Sequence, residues 1–149
     1  MHITRGRNIT PPFPATMVIV SLAVFVPLSA YVCHGLRVWQ FGDSPAFALT
    51  EPYFIGIWIG RTTGAVALAI LLLFWRHPLA IAATLIAIWL AGPPLTLMFS
   101  GLEILAISGG QAAWPPHPLS AIAPATLFAI LITAALLIPR SVRQAYNFC

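Results

Sequence analysis

Charge is what this 149-residue chain has least of: three acids, seven arginines and no lysine. Charged residues make up 7% of it and hydrophobic ones 60%, with a mean hydropathy of +0.93. A soluble domain carries about 25% charged residues, so this chain cannot cover a water-facing surface. That excludes a soluble enzyme and a disordered linker. The net charge of +4 does not point to nucleic acid, because seven scattered arginines form no phosphate-tracking stripe. Cysteine is nearly as scarce. Cys33 and Cys149 form no C-x-x-C pair, so a thiol-redox motif and a zinc site both lack a foothold. They read as ordinary thiols.

What is present is long apolar runs. A bilayer core needs about 20 apolar residues per helix, and four stretches qualify: 17–36, 53–75, 79–99 and 119–138. Prolines punctuate them. Pro27 lies inside the first, Pro93-Pro94 breaks the third, and Pro118 and Pro139 bracket the fourth. Pro11, Pro12 and Pro14 predict an extended lead-in, and the first run is too long for a signal-peptide h-region. The expected fold is all-α: one integral membrane domain, an antiparallel four-helix bundle embedded in the lipid bilayer.

Orientation follows from the arginines. With the N-terminus inside, Arg5, Arg7, Arg76, Arg140 and Arg143 are cytoplasmic, while Arg37 and all three acids (Asp43, Glu51, Glu103) fall outside. The positive-inside rule then predicts a multi-pass protein with both termini cytoplasmic, N-in/C-in. Trp39 and Trp114 stand at the outer boundary and Trp75 at the inner one, as an aromatic belt requires. The Arg76-His77-Pro78 turn makes helices two and three antiparallel neighbours. The outer connections are longer, 37–52 and 101–118, and the apolar part of the second, 102–107, reads as a short interfacial helix. No internal repeat is visible.

Arg61 is the most informative residue. It stands eight positions inside the second run, about 12 Å below the outer end of a helix. An arginine at that depth faces a bundle interior, a cavity or a partner. Two roles are open to it. It can anchor an anion or carbonyl oxygen in an outward-opening pocket, or it can satisfy the carbonyls of Trp89 and Leu90, to which Pro93 and Pro94 cannot donate. Depth arithmetic gathers other polar groups in the outer half of the membrane. Tyr31 and His34 lie about 7 and 11 Å outward of the midplane, Thr96 about 10 Å and Thr126 about 4 Å. The candidate ligand-binding set is therefore Arg61, His34, Tyr31, Thr96 and Thr126, although membrane hydroxyls often bond only to their own backbone.

The second run also carries Gly56-x-x-x-Gly60-x-x-x-Gly64, a groove of small residues that lets another backbone approach closely. It fits packing against a helix of the same bundle or self-association. The four histidines do not stand as a facing pair deep in the spans, which argues against haem or chlorophyll; His34 beside Arg61 suits proton transfer. Asp43, Glu51 and Glu103 read as solvated loop acids.

The stretch Gly60-Arg61-Thr62-Thr63-Gly64, the Arg76-His77-Pro78 turn, the Ala-rich third helix and the Pro93-Pro94 break together resemble the DoxX-like four-helix membrane superfamily, particularly its small members of unknown function. Gly35-Leu36-Arg37 and Phe41-Gly42 are similar to that family's segment between helices one and two. The likeness covers about 35–96. Thr62 and Thr96 stand where many members carry an acid, so an Arg–Asp pair is not implied here. The resemblance implies the four-helix fold, and some relatives are linked to quinone- or thiol-coupled oxidoreductase systems. Two functions emerge. One is a membrane protein that binds, and in a stronger form transforms, a small hydrophobic molecule in an outward-opening pocket anchored by Arg61. The other is a non-catalytic accessory subunit, with a membrane-protein partner or a second copy on the Gly56/Gly60/Gly64 face. No metal, cofactor or substrate is named by the residues.

Overall fold

The computed structural model describes residues 10–41, 43, 45–94 and 118–147, and these are all helix and short turns. The first rod comprises α1 (Phe13–Val20), a π-helical turn (Ser21–Phe25) and α2 (Val26–Phe41). Pro27 explains the π turn. It has no N–H, and its ring would clash with the carbonyl of Ala23 four residues earlier. The chain widens just before it: the Val26 N–H donates to Ser21 O, a step of five residues. The Ser29 hydroxyl then donates to Val26 O at 2.8 Å.

The second rod is α3 (Pro45–Phe74), 30 residues with Pro52 inside. It corrects the expected long outer connection at 37–52. Helix runs to Phe41 and resumes at Pro45, so the first two rods form a hairpin with a short turn that leaves Asp43 exposed. Pro52 does not end the helix, and Glu51 lies on it rather than in a loop.

α4 (Pro78–Ala91) starts from His77, whose Nδ1 accepts the Leu79 N–H at 3.2 Å, with Pro78 at the first position. It ends earlier than the expected 79–99. The Gly92 N–H closes the last turn on Ile88 O at 2.8 Å, and a Cβ on Gly92 would sit 2.5 Å from that same oxygen. Only glycine fits there. Residues 93–94 are helical again, and 95–99 lie outside the described residues, as do the predicted interfacial helix and Trp114. α5 (Pro118–Leu137) matches the fourth run, and Pro139 separates it from α6 (Arg140–Ala145), which the apolar runs did not signal.

Each rod packs on its neighbour in the chain: α2 on α3, α3 on α4, α4 on α5, and α5 closes the set against α1. The core sits at one end, where alanines at 15, 65, 69, 80 and 129 let helices approach closely around Leu22, Leu72, Ile81 and Leu136. In the α2–α3 hairpin beyond it, Ala30 and Phe54 are the buried apolar residues among those described. Large apolar side chains are exposed all along the rods, Phe13, Leu49 and Phe74 among them. Phe13–Gly35 and Glu51–Phe74, of 23 and 24 residues, are long and apolar enough to cross a membrane; Pro78–Ala91 and Ile122–Leu137 are shorter apolar helices.

Candidate functional site: a groove between the first two rods

Helical spacing builds one groove in the open hairpin. Pro27, Ala30, Tyr31 and His34 recur along one face of α2, and Ile55, Trp58, Ile59, Thr62 and Thr63 along the facing side of α3. Together they line a groove of about 340 Å³. Its walls are mainly aliphatic and aromatic. Glu51, seven residues before Trp58 and eleven before Thr62, lies on the same face of α3, and its Oε1 is 3.9 Å from His34 Nε2. The two side chains are partly exposed, 28% for His34 and 37% for Glu51, so their attraction is solvent-screened.

Two polar atoms of these lining residues stand out. His34 Nδ1 and Trp58 Nε1 are both buried and make no hydrogen bond among the described residues. A buried polar atom without a partner costs about 1–3 kcal/mol, so each favours a rearrangement or a ligand that supplies one. Elsewhere hydroxyls bond to the backbone of their own helices. Thr84 Oγ1 donates to Ala80 O and Thr133 Oγ1 to Ala129 O, each at 2.7 Å. Thr133 also accepts from Trp89 Nε1 at 3.0 Å, tying α4 to α5.

The predicted ligand set is therefore only partly brought together. Tyr31 and His34 line the groove. Arg61 does not: it stands on the neighbouring side of α3, in register with the buried Phe54, Ala65 and Leu72, with its Nε and Nη2 buried. Its guanidinium carbon lies 5.9 Å from the centre of the Trp58 ring, within cation–π reach. Trp58 is thus both a lining residue of the groove and the aromatic neighbour of the arginine. Thr126 is half-buried on α5 and is not part of the groove, and Thr96 lies outside the described residues. The carbonyls of Trp89 and Leu90, expected to be freed by prolines within a continuing helix, instead belong to the final turn of α4. Gly56, Gly60 and Gly64 face away from the other described residues, for a Cβ added at any of them meets nothing within 4 Å. Packing of this face inside the bundle is absent among the described residues.

Sequence reasoning missed Glu51 and Trp58. Glu51 falls before the apolar run that starts after Pro52, whereas Trp58 stands inside that run, and spacing alone does not say which side of α3 turns toward α2. Among the described residues, no three His, Cys, Asp or Glu side chains are grouped to hold a metal ion. No family model, curated protein or solved structure matches the chain.

Proposed function

We propose that this chain is a four-span membrane protein, N-in/C-in, that binds a small amphiphile in the outward half of its α2–α3 hairpin. The carrying observation is the groove itself: mostly apolar walls, with Trp58 Nε1 and His34 Nδ1 of its lining residues buried and without a hydrogen-bond partner among the described residues. Such a lining suits a molecule with an apolar body against Ala30, Ile55 and Ile59 and a polar head that hydrogen-bonds. Arg61 supports Trp58 from behind instead of anchoring the ligand directly. The DoxX-like resemblance is in keeping with the four-span form.

The test is purification in mild detergent followed by mass spectrometry of bound lipophiles. Thr63→Trp fills the groove from an exposed position. Wild type should retain a small lipophile that the variant loses, with both proteins equally folded. Equal retention by the two would count against the groove.

A second reading is favoured by one observation, the open glycine face of α3. It is an accessory subunit whose partner helix lies on Gly56, Gly60 and Gly64. A polypeptide that co-purifies stoichiometrically would favour it.

A further inference from the structure

A six-residue helix such as α6 does not hold its shape alone, since isolated helices shorter than about 12–15 residues are marginal. This one is held by burial. Val142 and Tyr146, four residues apart, are both fully buried, and the Tyr146 hydroxyl donates to the carbonyl of Leu72 near the end of α3. Its start is fixed as well, because the N–H groups of Val142 and Arg143 donate to Pro139 O at 3.1 and 3.2 Å.

Clamped in this way, α6 leaves Arg140 exposed and Arg143, three residues before Tyr146, half-buried. Arg76, two residues beyond α3, exerts its charge on the same Tyr146 phenol. Three arginines therefore gather at one end of the molecule. Of the described acids, Glu51 lies about 35 Å of helix from the end of α3 at Phe74, and Asp43 precedes the start of that helix. Within three residues of Arg76 or Arg140 along the chain, Phe74, Trp75, Leu79 and Ile138 are exposed. A band of apolar side chains bordered by guanidiniums matches the boundary between acyl chains and headgroups.

We infer that this end binds the phosphates of anionic phospholipids, with α6 lying in the headgroup layer and Arg140, Arg143 and Arg76 contacting the lipid. Guanidiniums pair with phosphate oxygens through two parallel hydrogen bonds. The surface of an anionic leaflet attracts juxtamembrane arginines further. The site goes beyond the groove and shares with it only the membrane embedding, which alkaline carbonate extraction tests separately.

The experiment measures thermal unfolding of the full chain in nanodiscs of phosphatidylcholine, with and without phosphatidylglycerol. Phosphatidylglycerol should raise the wild-type Tm by about 2–4 °C for each arginine engaged, and 0.5 M salt should shrink that rise. Arg140→Gln, at an exposed position, should lose part of the rise, and Arg140→Gln/Arg143→Gln most of it, with unchanged Tm in pure phosphatidylcholine. Equal wild-type Tm in the two bilayers, an undiminished rise in the variants, or an equal rise from inorganic phosphate would each overturn the lipid site. Release of the protein by carbonate would overturn the embedding instead.

Discussion

Tyr146 joins the end of the chain to the middle. Its ring is fully buried beneath the bundle and its hydroxyl donates to Leu72 O. Burial pushes the phenol above its ordinary range, and the nearby Arg76 charge opposes part of that rise. The fold therefore prefers the neutral phenol. Its contribution is complete below the unfolded pKa of about 10 and declines as pH rises above that, through the higher folded value. Tyr146→Phe should cost on the order of 1 kcal/mol at pH 7 through the lost hydrogen bond. The gap between the two proteins should narrow or reverse near pH 11, because the variant has no phenol to ionise. Unfolding in detergent at pH 7, 9 and 11 checks this, and a constant gap would contradict it. Arg61 carries the opposite lesson at this scale: depth left it either a ligand anchor or a donor to the Trp89 and Leu90 carbonyls, whereas its rotation about α3 leaves it out of the groove lining and against the Trp58 ring.

Glycines on adjacent helices have opposite meanings. At Gly60 a side chain would meet no neighbour among the described residues, while at Gly92 it would run into the carbonyl of Ile88. Gly60→Leu should leave the isolated monomer as stable as wild type or firmer by up to about 1 kcal/mol, from helix propensity. Gly92→Ala should destabilise by about 1–3 kcal/mol, because backbone must move. SDS-titrated unfolding reads both, and a costly Gly60→Leu would mean that the glycine face packs within one chain. The helices themselves were readable in sequence because 20-residue apolar runs admit few alternatives. Their ends were less so. Pro52 looked like a boundary and is carried inside α3, whereas Gly92 ends α4 where the hydropathy continues. Of the groove, Tyr31 and His34 were legible as polar groups at one depth, since depth follows from counting residues. Trp58 and Glu51 were not, since they depend on which side of α3 turns toward α2.

Over the whole molecule, packing and charge are distributed unevenly. The core, Tyr146 and three arginines share one end, and the described acids and the groove belong to the hairpin toward the other. Apolar side chains cover the outside of the rods between them, which in water would be an aggregation surface and in lipid is the ordinary condition. The proposed embedding accounts for this with the arginine end in the cytoplasm and the groove opening outward. A chain inserted the other way would carry its arginines across the membrane against the positive-inside rule. The direct measurement is cysteine labelling in intact cells by an impermeant reagent, in variants with Cys33 and Cys149 replaced. A cysteine introduced by Asp43→Cys should label from outside, and one introduced by Ser141→Cys only after permeabilisation. Labelling of Ser141→Cys in intact cells, or protection of Asp43→Cys, would contradict the account.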